Sequence, residues 1–381
     1  MGSKICVGVL FGGQSAEHEV SLLSAKNVIE AIDRNKYDVV LVGIDKQGEW
    51  HLRDAATFLL HAHDPARIQL HGAIESVALV PRKEGKQLVG FAGSLMEKSV
   101  DVIFPVLHGT YGEDGTVQGL LKLAHLPFVG AGVLGSAVGM DKDVMKRLLR
   151  DAGLPIARFL VVPRFQLTHT TFDAVVGEVG LPFFVKPANL GSSVGISKVR
   201  RQEEFLPAVE EAFRYDHKIL IEEYVKGREI ECAVLGNECP VASLPGELIP
   251  QHEFYSYEAK YLDEDGALFR LPADLPPQQT GEIQRLAVEA FRVLCCEGMA
   301  RVDFFLSEEG RPYVNEINTI PGFTNISMYP KLWEVSGLSY TQLIDRLIQL
   351  ALERFERDRR LSTRPLLSSR HNPHEKKGDL G

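Results

Sequence analysis

No apolar run in the chain is long enough to span a bilayer, and no hydrophobic leader follows the first residues. A membrane span and a secretory signal are therefore not expected. The opening MGSKIC has the glycine of a myristoylation site but carries Cys6 where that site needs Ser or Thr. Cysteine is scarce: Cys6, Cys232, Cys239, Cys295 and Cys296 are odd in number and lack metal-ligand spacing. They read as reduced core residues of a cytoplasmic protein. Positive charge is not in excess either, since 42 basic against 51 acidic residues leave a net charge of −9. That balance argues against nucleic acid or an anionic membrane as partner, and any anion site must be a local basic pocket. Neither GxGxxG nor GxxxxGK[ST] occurs, so the dinucleotide fingerprint and the Walker loop are both missing.

What is present is an ordinary globular composition, 45% hydrophobic and 24% charged over 381 residues. That length exceeds one ordinary core and predicts two or three domains. The most informative stretch is RVDFFLSEEGRPYVNEINTIPGFTNISMYP, residues 301–330. Alternation makes RVDFFL a strand with Arg301 and Asp303 on one face, and YVNEIN a second strand with Glu316 and Asn318 on one face. A turn centred on Glu309-Gly310 sets Asp303 opposite Glu316 and Arg301 opposite Asn318. Two carboxylates about 5 Å apart at an effective dielectric near 20 repel by roughly 3 kcal/mol. A hard cation removes that cost, and Asp, Glu and the Asn carbonyl are the donors Mg²⁺ prefers. A solvated hairpin face is the competing reading. The loop PGFTNIS, rich in small and hydroxyl residues, suits backbone N–H groups meeting an anion, so metal-bound phosphate is the working expectation.

Taken in order, KICVGVLFGG predicts a buried strand entering a Gly-Gly turn, and Leu22, Ala25, Val28, Ile29 and Ile32 mark the following helix. Glu17, His18 and Glu19 sit at that helix start, where acidic residues complement the helix dipole; the local sequence favours this reading. YDVVLVGID is a second strand, residues 51–98 look like an elaboration of the first domain, and DVIFPVLHG is a third strand ending at His108. Open α/β sheets place ligands at such strand ends, although a lone histidine is as readily a packing residue. Asp141 can cap a helix ending at Gly153-Leu154-Pro155. Lys142 in its first turn is a cation where the dipole is already positive, which suggests that it faces an anion. Lys186 ends an apolar strand, and NLGSSVG after it can wrap phosphate oxygens or serve as a plain hairpin connection. KILIEEYVKGREIECAVLG reads as two strands with a domain seam at Lys226-Gly227. The long irregular stretch 251–277, with Lys260 and Tyr261, reads as a lid or binding loop. Helices follow over 279–295 and in SYTQLIDRLIQLALERF, and the residues from about Thr363 are expected to be disordered.

The blocks HEVSLLSA, VLHGTYGEDGT, GMDKDVMK, VKPANLGSSVGISKV, EEYVKGREIECAVL, EAKY, ARVDFF and NEINTIPGFTNISMYP occur in this order across residues 4–355. Together they resemble the signature blocks of D-alanine–D-alanine ligases, members of the ATP-grasp superfamily. The resemblance implies a three-domain α/β ATP-grasp architecture with a Rossmann-like N-terminal domain and ATP held between the central and C-terminal domains. The expected divisions are 1–137, 138–225 and 226–362, with 363–381 as tail. It further implies ATP-dependent joining of two D-alanines through a D-alanyl phosphate, for peptidoglycan precursor synthesis in a bacterial cytoplasm. Dimers are usual in the family, so a homodimer is expected.

By the same resemblance, Lys142 and Lys186 would grip ATP phosphates, helped by the loop at Ser192, Ser193 and Gly195. Glu222, Glu223, Tyr224, Val225, Glu229 and Asn315 would bind the nucleotide. Asp303, Glu316 and Asn318 would hold two Mg²⁺, with Mn²⁺ as a substitute. Glu19 would bind the ammonium of the first D-alanine, with His108 near its carboxylate. Arg301 and the Gly322 N–H would stabilise the oxyanion. Ser327 and the Met328 N–H would receive the second carboxylate. Ser192 and Tyr261 would join Glu19 in a network closing the lid, with Lys260 nearby. Tyr261 after EAK is typical of dipeptide-forming members, whereas relatives that make D-alanyl-D-lactate usually carry phenylalanine. The alternatives are another ATP-grasp ligase, such as a depsipeptide ligase, and a non-catalytic ATP-binding homologue.

Overall fold

A computed structural model describes residues 4–62, 64, 67–81, 87–91, 99–250 and 267–362. The strand Ile5–Gly12 is apolar almost throughout because parallel neighbours flank it on both edges, Tyr37–Ile44 and Val102–Val106. Sheets of this kind are covered on both faces and need no polar side. Trp50–Arg53, Ala73–Leu79 and Leu88–Gly90 extend the sheet in antiparallel fashion beyond Tyr37–Ile44, so the weakly patterned stretch does elaborate the first unit. The Gly-Gly turn is sterically required. A Cβ on Gly12 would stand 2.1 Å from the Ile44 carbonyl oxygen, and the Gly13 N–H donates to that same oxygen at 2.8 Å. The helix His18–Ala31 then lays Leu22, Ala25, Val28 and Ile29 on the sheet.

A second, four-stranded antiparallel sheet runs in the order Ser197–Val199, Phe183–Pro187, Lys218–Glu223, Phe159–Pro163. The helices Phe172–Val179 and Phe205–Ala212 cover it around a core containing Phe183 and Phe205. The third sheet runs Ala267–Arg270, Gly246–Pro250, Gly227–Gly236, Gly298–Ser307, Pro312–Asn318, with Val241–Ala242 paired to Gly227–Gly236. Lys218–Glu223 and Gly227–Gly236 thus belong to different sheets, and the seam falls at Tyr224–Lys226. The expected boundary at 137/138 lies inside the helix Val133–Met140. That helix ends at Asp141, whose carboxylate accepts from the N–H groups of Asp143 (3.0 Å) and Val144 (3.1 Å) and caps the helix Lys142–Asp151.

One core joins the first sheet to the third unit. Leu343, Ile344, Leu347 and Leu350 of the helix Tyr340–Arg359 share it with Val9, Phe104 and Met299. Buried Arg354 of that helix donates to the carbonyls of Gly130 (2.5 Å) and Phe128 (2.7 Å), which fixes the two units against each other. Among the described residues no helix is long and apolar enough to cross a membrane.

Candidate functional site

A cleft of about 570 Å³ opens where the three units meet. Its floor is the third sheet. The register there is Asp303 against Glu316 and Arg301 against Asn318, the expected pairs. Beside the turn, however, Leu306 faces Pro312 and Phe305 faces Tyr313, one residue out of step with a turn centred on Glu309-Gly310. Glu231 on the other neighbouring strand lies opposite Asp303, so Glu231, Asp303 and Glu316 form one row across three strands. Strands are about 4.8 Å apart, so three carboxylates face one another at that spacing. Two cations offset them in part. Arg301 donates from Nε and Nη2 to the two Asp303 oxygens, both at 2.7 Å, and its Nε is 2.9 Å from Glu231 Oε2. Burial alone would favour a neutral guanidine; Asp303 and Glu231 outweigh it and raise the Arg301 pKa well above its ordinary value. Lys142 Nζ stands 3.9 Å from Glu316. The register shifts between Asp303 and Phe304, leaving Asn315 as an extra residue on the partner strand. This bulge lets the adjacent residues Asn315 and Glu316 both line the cleft. The Asn315 Oδ1 is buried without a hydrogen-bond partner among the described residues.

The second sheet supplies the opposite wall. Lys186 and Lys146 both pair with Glu222, and all three are buried. Burial would raise the Glu222 pKa, but the two ammonium groups overcome it and hold the carboxyl below its usual range. Lys142, the misfit cation of its helix, does point into the cleft, donating to the Leu190 carbonyl at 2.6 Å. The loop after Lys186 takes left-handed backbone at Ser192 (φ 54), Ser193 (φ 60) and Gly195 (φ 70). Ser192 and Ser193 line the cleft, whereas Gly195 lies outside its lining, where a Cβ would meet the Tyr215 ring at 2.7 Å. At the seam, Tyr224, Val225 and Glu229 line the cleft. Tyr224 carries Lys198 Nζ 3.9 Å from its ring centroid. Glu223 lines it too, although its carboxylate is held by the Arg158 N–H and guanidinium at 2.7 and 2.6 Å.

The first unit enters through two loops. Glu19 does not reach the cleft: it sits in the first helical turn and pairs with Lys46 at 2.6 Å, which suits the dipole reading. The residue that does reach it is Glu17, one step before the helix, buried and accepting a hydrogen bond from the Ser192 hydroxyl. His108 is buried, and burial lowers its pKa, which favours the neutral ring. Its Nδ1 must donate to the Ile320 carbonyl (3.0 Å), leaving Nε2 to accept from Ser24 Oγ (3.1 Å), which in turn accepts from the Phe323 N–H (3.1 Å). His108 thus anchors the loop that carries Gly322. Glu113 ties the same loops together, accepting from the N–H groups of Gly109 (2.7 Å) and Ile320 (3.1 Å). Burial and then the charge of Glu17 push its pKa up to about 8. Gly322, Ser327 and Met328 close this end of the cleft; Ser327 Oγ accepts from the Thr324 N–H at 2.9 Å and Met328 opens the helix Met328–Val335. Lys260 and Tyr261 lie outside the described residues. The sequence alone gives no site role to Glu17, Glu113, Lys146 or Glu231. Glu113, Lys146 and Glu231 lie inside VLHGTYGEDGT, GMDKDVMK and EEYVKGREIECAVL, which is the available signal, and Glu17 stands just before HEVSLLSA.

Residues 6–131 match the family model described as D-ala D-ala ligase N-terminus, and residues 148–349 match D-ala D-ala ligase C-terminus. The chain is 58% identical over 357 residues to a D-alanine–D-alanine ligase of Shouchella clausii, covering 94% of this chain and 97% of that one. It is 56% identical over 360 residues to D-alanine–D-alanine ligase A of Escherichia coli K12, covering 94% and 99%. A solved D-alanine–D-alanine ligase from Coxiella burnetii superposes with a TM-score of 0.82 at 40% identity, covering 94% and 97%. The VanG D-Ala:D-Ser ligase of Enterococcus faecalis superposes with a TM-score of 0.80 at 33% identity, covering 92% and 100%.

Proposed function

This chain belongs to the D-alanine–D-alanine ligase family, and we propose that its cleft joins two D-alanines at the expense of ATP through a D-alanyl phosphate. The observation that carries the reading is the row Glu231, Asp303, Glu316, with Arg301 within it and the cations Lys142 and Lys186 lining the same cleft. The oxygen donors Asp303, Glu316 and Asn318 suit a hard cation, and three adjacent carboxylates exceed the charge that Arg301 and Lys142 bring to the row. Two Mg²⁺, or Mn²⁺ with the same oxygen preference, would be held there and would neutralise the transferring phosphoryl group. Asn315 Oδ1, buried and without a hydrogen-bond partner among the described residues, is an acceptor that suits a ligand donor.

In this reading Lys142 and Lys186 hold the phosphates, and Ser193 with its left-handed neighbours offers backbone N–H groups to them. Tyr224, Val225, Glu222, Glu223, Glu229 and Asn315 surround the nucleoside. Glu17, in place of Glu19, takes the ammonium of the first D-alanine, and Ser192 fixes that carboxylate. The substrate carboxylate attacks the γ-phosphorus and ADP departs. The amine of the second D-alanine, having lost a proton, then attacks the acyl carbon. Arg301 with the Gly322 N–H stabilises the oxyanion, and the acyl C–O bond breaks with inorganic phosphate as the leaving group. Ser327 and the Met328 N–H, at a helix start, accept the second carboxylate. His108 and Glu113 keep the Gly322 loop in register with the first unit. Lys260 and Tyr261 carry the roles that family membership gives them. The three sheets support a three-domain ATP-grasp division, with the first boundary at Asp141 and the second at Tyr224–Lys226. Peptidoglycan precursor synthesis in the cytoplasm, by a homodimer, completes the proposal.

The test is ADP release with ATP and Mg²⁺, comparing D-alanine, L-alanine and D-alanine plus D-lactate, with product masses recorded. ADP that depends on D-alanine, with the mass of D-alanyl-D-alanine, is expected. ADP formed only with another acid or amine would refute the substrate. Nucleotide binding without turnover on any of them would make the chain a non-catalytic homologue.

A further inference from the structure

Asp303 has two claims on it. In the structure its oxygens accept from Arg301 Nε, Arg301 Nη2 and Asn318 Nδ2 at 2.7, 2.7 and 2.9 Å. In the proposed reaction the same oxygens hold a divalent cation, which competes for them with the bidentate guanidinium and repels its charge. Arg301 therefore needs a second carboxylate within reach, one that keeps it in the cleft. Glu231 fits that need. It is buried, it faces Asp303 in register from the neighbouring strand, and its Oε2 is already 2.9 Å from Arg301 Nε. The Nε hydrogen bond itself is made to Asp303, so Nε sits between two carboxylates and is committed to one of them.

We propose that Glu231 is the alternate seat of Arg301: when a divalent cation occupies Asp303, the guanidinium shifts its Nε edge to Glu231 and stays positioned for the oxyanion. Glu231 is thus a positioning residue that acts through Arg301 and makes metal binding and arginine placement compatible. The inference rests on the assignment of Asp303 as a metal ligand. Without Glu231, the carboxylates left to Arg301 in this row are Asp303 and Glu316, both assigned to the metal, and a cation must displace the guanidinium against a stronger hold.

The test is a double-mutant cycle on the full chain, read by Mn²⁺ binding in the presence of ADP and followed by electron paramagnetic resonance, with no turnover involved. Glu231→Gln is expected to weaken Mn²⁺ binding by about tenfold in the native background and by less than about twofold beside Arg301→Met, where no guanidinium has to move. Equal weakening in both backgrounds would mean that Glu231 acts only as a nearby negative charge, and would overturn the exchange. Glu231→Asp, measured in the same cycle, covers a failure of the glutamine variant to fold. It keeps the charge but shortens the reach, so exchange predicts a loss of Mn²⁺ affinity that vanishes with Arg301→Met, and a pure charge effect predicts no loss. Mn²⁺ binding indifferent to Asp303→Asn would refute the metal assignment itself and the exchange with it.

Discussion

Lys146, Glu222 and Lys186 form a buried group of two cations and one anion, and its unequal charge predicts unequal mutational costs. An ammonium about 3 Å from a carboxylate attracts it by roughly 5 kcal/mol at an effective dielectric of 20, so Glu222 makes two such contacts. Glu222→Gln removes both and leaves two like charges in a dry site. The gross loss is larger than the net loss, because Glu222 no longer has to be desolvated and Lys146, whose pKa burial already lowers, can release its proton. A net destabilisation of about 3–5 kcal/mol is expected, the range for breaking a buried pair from one side. Lys146→Met should cost about 1 kcal/mol or less, since it leaves the matched pair Glu222–Lys186 and spares a buried ammonium its desolvation. Thermal and denaturant unfolding of the full chain measure the contrast. Its pH dependence has a definite sign. The Glu222 carboxyl is depressed in the fold, so its contribution is present above the ordinary carboxylate pKa and is lost as pH falls through the depressed folded value. Lys146 is depressed as well, so the unfolded chain binds its proton more tightly. The deficit of Glu222→Gln should therefore narrow as pH rises toward the ordinary lysine range. If Lys146→Met costs as much as Glu222→Gln, packing rather than charge holds the group together and the reasoning fails.

Two further substitutions separate neighbouring readings of the site. Glu17→Gln should lower kcat/KM for D-alanine by about 30-fold or more, as expected for removing a buried charge partner, whereas Glu19→Gln, losing only a surface pair with Lys46, should change it by less than about fivefold. Steady-state kinetics decide, and an equal effect at both positions would return the ammonium site to question. Glu316→Gln should cut turnover by about 10²–10³-fold through loss of a metal-binding oxygen. A wild-type rate of ADP release at ordinary Mg²⁺ would sink the metal assignment.

The sequence carried those features that local chemistry determines. A turn at Glu309-Gly310 predicts the pairing of Asp303 with Glu316, but the pairs beside the turn, Leu306 with Pro312 and Phe305 with Tyr313, centre it on Glu309. It is the bulge at Asn315 that supplies the extra residue and brings Glu316 opposite Asp303. Asp141 announced a cap, and Lys142 announced a ligand by standing where the helix dipole disfavours it. Two kinds of feature were hidden. Glu231 belongs to the same row, but its place depends on pairing with Gly298–Ser307, a contact across a long gap that no periodicity encodes. Asn315 reads by alternation as facing away from Glu316, and only the bulge turns both into the cleft. The misassignment of Glu19 has a third cause. Glu17 and Glu19 differ by two residues across the point where coil becomes helix, and strand-like or helical spacing cannot say which of them a coil aims into a cleft. The dipole reading was right for Glu19 for the same reason that it failed to find Glu17: the helix begins at His18, so the charge that serves the helix is the one inside its first turn, and the charge left outside is available to a substrate.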